Sequence, residues 1–91
     1  MYELRATASF EKDIARLDRT VAKRILAKCE FLAINPKTIR SGLKYLPREL
    51  SGLSKCRVGD WRILFWVDHE NTAINLVGVE HRREVYRRLR G

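Results

Sequence analysis

A two-residue loop between two β-type segments is the sequence feature that most restricts the fold. Gly59-Asp60 separates residues 53–58 from residues 61–67, and the second segment is almost entirely aromatic and aliphatic. Two such segments joined by two residues, one of them glycine, predict a β-hairpin. Because so short a loop fixes the register, each residue before it has a defined partner after it. The expected pairs are Val58–Trp61, Arg57–Arg62 and Cys56–Ile63.

This register separates the apolar side chains of the hairpin from its basic ones. Side chains alternate along a strand, and directly opposed residues share a face. The face expected to lie on a core beneath two helices carries Cys56, Val58, Trp61, Ile63, Phe65 and Val67. The other face carries Lys55, Arg57 and Arg62, beside Leu53, Leu64 and Trp66.

The basic face of the hairpin predicts an anion-binding site. Like charges directly opposite each other destabilise a sheet, and neither strand of the hairpin supplies a carboxylate on that face. Arginine binds phosphate oxygens in a bidentate manner, so phosphate is the anion we expect there. An ordinary solvated basic surface would give the same pattern.

The remaining sequence predicts a small α+β domain with the order βααβββ, spanning residues 1–91. Residues 2–6 alternate as a strand, and Thr7 or Ser9 can cap a first helix. Asp18 can cap a second helix that ends at Asn35-Pro36. The apolar stripes of the helices comprise Phe10, Ile14, Leu17, Val21, Ala22, Ile25, Leu26, Cys29, Leu32 and Ala33. We expect this helical hairpin to pack on one face of a mostly antiparallel sheet, with the opposite face open and basic.

Three further segments complete the interpretation. The apolar residues within 37–52 predict a connection that lies against the sheet. Residues 72–79 are rich in β-branched and apolar side chains and predict the last strand. Residues 81–89 then form a short helix or an extended tail.

Composition favours a nucleic-acid partner and excludes several classes of protein. A net charge of +8 and a pI near 10.1 attract polyanions. The longest apolar run, residues 63–67, is far shorter than the ~20 residues that span a membrane. No export leader is visible, and the two cysteines and two histidines lack the spacing of a disulfide framework or a metal site. We therefore expect a cytoplasmic protein with no metal and no small-molecule cofactor.

The C-terminal segment adds candidate catalytic residues. His81 and Arg82 directly follow the predicted last strand, where their side chains could reach over the open face. Tyr86 lies one helical turn after Arg82 and would share its side. Imidazole, guanidinium and phenol together suit cleavage of a phosphodiester, and a metal-independent reaction of this kind uses the 2′-hydroxyl of RNA. A solvated, arginine-rich tail with a structural histidine is the plainer alternative.

The hairpin and the tail together resemble a known toxin family. The stretch Lys55-Cys56-Arg57-Val58-Gly59-Asp60-Trp61-Arg62-Ile63 and the closing His81-Arg82-Arg83-Glu84-Val85-Tyr86 are similar to the RelE branch of the RelE/ParE toxins. The resemblance covers essentially the whole chain and implies a single RelE-like toxin domain. It also implies an endoribonuclease that cleaves mRNA in the ribosomal A site and is inhibited by an acidic antitoxin. Operator DNA would be bound only indirectly, through that antitoxin.

The same resemblance assigns a role to each candidate residue. It implies that Arg62 holds the scissile phosphate, that Lys55 and Arg57 bind phosphates, and that Arg82 lies near the leaving group. Tyr86 would stack on an mRNA base or help to activate the 2′-hydroxyl, and His81 would take part in proton transfer only in some relatives. The neighbouring Arg83 and Arg87 are expected to bind RNA phosphate.

The sequence departs from the family pattern in two respects, and two alternative functions remain open. Leu53 stands where some members have a basic residue, and no glutamate is well placed as a general base, Glu49 included. A ParE-like toxin would share the fold but inhibit DNA gyrase by binding protein. A catalytically inactive relative would bind RNA or antitoxin without cleavage.

Overall fold

The computed structural model describes residues 1–39 and 53–81, which contain two α-helices and four β-strands in the predicted order, and a short 3-10 helix at Pro36–Thr38. The α-helices and strands are β1 (Glu3–Ala6), α1 (Ala8–Arg16), α2 (Arg19–Ile34), β2 (Ser54–Val58), β3 (Trp61–Asp68) and β4 (Ala73–His81). The predicted connection beyond Ile39 and the predicted terminal helix or tail lie outside the described residues.

Side-chain caps define where the two helices begin. Thr7 Oγ1 accepts the backbone N–H of Phe10 at 3.2 Å, so Thr7 rather than Ser9 caps α1. Asp18 Oδ2 accepts the N–H of Thr20 at 3.1 Å and caps α2, as predicted. The second helix ends at Ile34, because proline disfavours a helical conformation at the residue before it. Neither described helix is long and apolar enough to cross a membrane.

The strands form one mixed sheet in the order β1-β4-β3-β2. The β1–β4 pair is parallel, and the β4–β3 and β3–β2 pairs are antiparallel, which confirms a mostly antiparallel sheet. Gly59, the first residue of the β2–β3 loop, has a φ of +60°, a conformation that glycine adopts at little cost. All three predicted cross-strand pairs of the hairpin are present.

The helices cover one face of the sheet and enclose the main core. Its buried members are Phe10, Ile25, Cys29, Leu32, Ile63, Phe65, Ile74, Leu76 and Val79. The remaining apolar residues of the predicted hairpin face pack against this cluster. Leu26 differs from the prediction, since 43% of it is exposed. It is rotated by about 100° from Ile25 around the helix axis, which takes it to the edge of the apolar stripe.

The opposite face of the sheet is not open throughout. Leu53 and Leu64 are buried there, with Trp66 and Val77 packed against them. This second, smaller apolar cluster is formed by the apolar residues that the sequence placed on this face beside the basic ones, together with Val77. Arg57 and Arg62 lie beyond the cluster, toward the Gly59-Asp60 loop, and Lys55 lies directly opposite Leu64.

A side chain of helix α1 contacts β4 where the pairing of β4 with the parallel strand β1 has ended. The last residue of β1, Ala6, pairs with Leu76, so the following N–H groups on that side of β4 have no strand partner. Asp13 Oδ2 accepts the N–H of Val79 at 2.9 Å, in place of a continued β1. A register shift on the β3 side leaves Val77 as an extra residue between the pairs formed by Leu76 and Gly78. Paired with β3, β4 continues to His81, two residues past the predicted end.

Candidate functional site

Three charged side chains form a row across the end of the sheet. Arg57 on β2 is directly opposite Arg62 on β3, and Arg62 is directly opposite Glu80 on β4. Opposed residues share a face and have Cβ atoms about 4.5–5.5 Å apart. The row therefore contains two adjacent positive charges with one negative charge at its β4 end, on the face away from the helices.

Both arginines of this row donate hydrogen bonds to backbone carbonyls near the loop. Arg57 is exposed, and its Nε donates to the carbonyl oxygen of Gly59 at 3.0 Å. Arg62 is half-buried, and its Nη1 donates to the carbonyl oxygen of Trp61 at 3.2 Å. Lys55 is exposed on the same face, opposite Leu64. The structure thus brings together the three basic residues predicted for the hairpin.

Glu80 is the member of this row that sequence reasoning missed. Only 6% of Glu80 is exposed, and the prediction had ended the last strand one residue earlier. Pairing β4 with β3 for one more residue would have placed this carboxylate opposite Arg62. Asp68 also falls on this face, because β3 runs one residue further than expected, but it lies about 20 Å along the strand from Arg62. The expectation that neither hairpin strand supplies a carboxylate on this face is corrected by Asp68 on β3, whereas Glu80 belongs to β4.

His81 lies on the side of the sheet that carries the helices. It is the last residue of β4 and pairs with Trp61, which packs against the main core. The two rings meet edge to face, with centroids 5.3 Å apart and an interplanar angle of 89°. The expectation that His81 reaches over the opposite face is corrected, because β4 continues through this residue and alternation turns it away from Arg62.

The other predicted tail residues lie outside the described part of the chain. They are Arg82, Arg83, Tyr86 and Arg87. Within residues 1–39 and 53–81, no three histidine, cysteine, aspartate or glutamate side chains are grouped so that they could hold a metal ion. The chemistry available in the described site is that of guanidinium and ammonium groups beside a buried carboxylate.

The two cysteine thiols are not suited to nucleophilic chemistry at neutral pH. Burial is the main cause that raises the pKa of Cys29, to about 12. Burial also raises the pKa of Cys56, although the ammonium group of Lys28 partly opposes it. Since the thiolate is the reactive form, both cysteines serve packing rather than catalysis.

Comparison with known proteins identifies the family. The profile of a family described as the ParE toxin of the type II toxin–antitoxin system parDE matches residues 4–86. Toxin RelG of Mycobacterium tuberculosis is 31% identical to this chain, and the match covers 96% of this chain and 98% of RelG. The chain belongs to the RelE/ParE toxin superfamily. It is a type II toxin with a RelE-like fold, as the resemblance in sequence implied.

Solved structures of RelE/ParE toxins have the same fold. The toxin–antitoxin complex RelBE2 of M. tuberculosis includes a chain that is 27% identical, with a TM-score of 0.76, and the match covers 89% of this chain and 98% of that one. The isolated E. coli RelE toxin is 21% identical with a TM-score of 0.73, and the match covers 97% and 94% of the two chains. Because the E. coli RelE toxin is only 21% identical to this chain, its similarity shows the fold alone.

Proposed function

We propose that this RelE/ParE family member is a metal-independent endoribonuclease that cleaves mRNA in the ribosomal A site and thereby inhibits translation. The observation that carries the proposal is the direct pairing of Arg57 with Arg62. Two opposed guanidinium groups repel each other, and a bound phosphate would convert that repulsion into two favourable contacts. The relative named Toxin RelG, which is 31% identical to this chain, supports the RelE branch of the family.

The proposed reaction begins with attack of a 2′-oxygen on the adjacent phosphorus. The new O2′–P bond forms as the P–O5′ bond breaks, which gives a 2′,3′-cyclic phosphate. The 2′-hydroxyl proton passes to a general base, and the leaving 5′-oxygen takes a proton to become a 5′-hydroxyl. Arg62 holds the scissile phosphate, and Arg57 and Lys55 stabilise the negative charge that develops on it. Because DNA lacks the 2′-hydroxyl, this chemistry selects RNA.

The tail residues complete the proposed site on the strength of the family resemblance. Arg82 neutralises charge near the leaving 5′-oxygen, and Tyr86 stacks on an mRNA base or helps to activate the 2′-hydroxyl. Arg83 and Arg87 bind flanking phosphates. No role in catalysis is proposed for His81, given its packing against Trp61.

The proposed partners are a cognate acidic antitoxin, the 70S ribosome and mRNA. Solved complexes of RelBE2 from M. tuberculosis and of RelBE from E. coli are toxin–antitoxin complexes, which supports the first of these partners. A strongly basic chain offers such an antitoxin complementary charge. The cytoplasm is the proposed location, since both mRNA and ribosomes are found there.

The test adds purified protein to a bacterial translation reaction and maps new mRNA 5′ ends by primer extension, with and without ribosomes. We expect ribosome-dependent cuts within translated codons, and we expect Arg62→Ala and Arg82→Ala to abolish them without loss of fold. Arg16→Ala is the matched control, because this exposed arginine lies on α1, away from the site. Full cleavage by both site variants would show that the site is wrong.

A ParE-like inhibitor of DNA gyrase is the second candidate, favoured by the name of the matching family profile. Such a toxin needs no phosphodiester site, so alanine at Arg82 and Tyr86 would leave it potent. Intact message at a dose of protein that stops growth would support this candidate. Binding of RNA with neither cleavage nor toxicity would instead indicate an inactive relative.

A further inference from the structure

A cleft of about 310 Å³ lies between the C-terminal half of α2 and β2. In the described sheet, β2 is an edge strand that pairs only with β3. Leu32, Ile39 and Phe65 give the cleft an apolar floor. Its volume is at the lower end of the ~300–1,000 Å³ typical of small-molecule sites, which suits a single nucleotide.

The charged side chains that line this cleft within residues 1–39 and 53–81 are all positive. They are Lys28, Lys55 and Arg57. Two of these cations, Lys55 and Arg57, also belong to the basic residues beside Arg62. Because β2 is an edge strand of the described sheet, its long cationic side chains can extend around it toward either face. The cleft is therefore continuous with the proposed phosphate site.

The cleft also contains an exposed aromatic ring beside one of its cations. Phe31 is 45% exposed, and the ammonium nitrogen of Lys28 lies 4.7 Å from the centroid of its ring. Lys28 and Cys56 both line the cleft, and the Lys28 ammonium partly opposes the rise that burial causes in the pKa of the Cys56 thiol. Aromatic rings interleaved with cations are the usual means by which proteins hold single-stranded nucleic acid.

We propose that this cleft binds an unpaired nucleotide of the RNA strand that flanks the nucleotide held at Arg62. Its base stacks on Phe31, and its phosphates contact Lys28 and Arg57. This inference rests on the proposed function, which supplies RNA as the ligand. It adds a second RNA-binding site, on the helix side of the sheet, to the one at Arg62. A strand of RNA suits the cleft better than an acidic peptide does, because the cations continue from the phosphate site and end beside a stacking surface.

The test measures the affinity of the full chain for a short, fluorescein-labelled, 2′-O-methyl RNA, which resists cleavage. We expect Phe31→Ala to weaken binding by about tenfold, the usual loss when one stacked base loses its aromatic partner. Ile34→Ala is the matched control, because Ile34 is 60% exposed on the same helix but does not line the cleft. We expect it to leave the affinity unchanged within about twofold.

A second pair of variants tests the contribution of charge. Lys28→Gln should reduce the slope of log affinity against log salt concentration by about 0.7, the value for one phosphate contact on a single strand. Lys23→Gln is its control, because Lys23 is exposed on α2 and does not line the cleft. We expect Lys23→Gln to leave the slope unchanged.

The outcomes separate this inference from the proposed function. If Arg62→Ala weakens RNA binding while Phe31→Ala and Lys28→Gln match their controls, the cleft proposal is wrong and the proposed phosphate site stands. If Phe31→Ala weakens binding of poly-glutamate and leaves RNA binding unchanged, the cleft binds acidic peptides instead, which also overturns the proposal. If only the cleft variants weaken RNA binding, the cleft is supported and the assignment of Arg62 fails.

Discussion

The repulsion between Arg57 and Arg62 can be measured directly as a coupling free energy. Their Cβ atoms are about 4.5–5.5 Å apart in a directly opposed pair. Guanidinium groups about 7 Å apart repel each other by about 0.6 kcal/mol in water. This value lies within the range of roughly 0.2–1 kcal/mol for cross-strand pairs, so we expect the pair to reduce the free energy of unfolding by that amount.

A double-mutant cycle isolates this repulsion from the other contacts of each arginine. Arg57→Gln loses the hydrogen bond to Gly59, and Arg62→Gln loses the one to Trp61, but both losses cancel in the cycle. Each single variant relieves the repulsion, and the double variant relieves it only once. The double variant should therefore be less stable than the sum of the single effects predicts, by about 0.6 kcal/mol.

The assay is urea unfolding of the four proteins at about 10 mM and about 1 M salt. The Debye length falls from about 30 Å to about 3 Å over this range, so the coupling should nearly vanish at high salt. A cycle between Arg57 and the distant Arg16 is the control and should give no coupling at either salt concentration. A zero or favourable coupling between Arg57 and Arg62 at low salt would refute the argument that the two opposed guanidinium groups repel each other.

Two further predictions concern the elements that support the site. Asp13→Ala leaves the N–H of the buried Val79 without its charged acceptor, so the free energy of unfolding should fall by about 2 kcal/mol. The loss should be smaller for Asp13→Asn and almost absent for Lys12→Ala, because Lys12 is exposed. An equal, small loss for all three variants in urea unfolding would contradict this. The pKa of Cys29 is raised from 9.0 to about 12 in the folded chain, so the unfolded state loses its proton first and stability should fall as pH rises above 9. The loss between pH 9 and pH 10 should be about 1 kcal/mol greater than in Cys29→Ala, and identical pH profiles would show that the thiol is not held in its neutral form.

The parts of the fold that local sequence determines were predicted correctly. The two-residue loop at Gly59-Asp60 fixed the hairpin register, and short polar side chains at Thr7 and Asp18 fixed the beginnings of the helices. These signals lie within a few residues of the structure that they specify. Leu26 was misplaced because the edge of an amphipathic stripe depends on how the helix is rotated against the sheet.

The features that the sequence did not reveal depend on contacts between distant residues. β4 pairs with β3 as far as His81, and Asp13, which lies 66 residues before Val79 in the chain, accepts the N–H of Val79 on the other side of the strand. Residues 72–79 alone do not reveal this pairing, so the predicted strand stops before Glu80 and His81. The cleft likewise requires α2 to lie beside β2, and no local pattern brings Phe31 or Lys28 next to Arg57.

The most direct test of the proposed chemistry replaces one hydroxyl group in the substrate. Ribosomes are programmed with two messages that differ only in the A-site codon, where one message carries 2′-deoxynucleotides. The proposed mechanism predicts that the protein cleaves the ribose message in that codon and leaves the deoxy-substituted codon intact, because the attacking 2′-oxygen is missing. Equal cleavage of both messages would contradict attack by the 2′-oxygen and with it the central claim about this site.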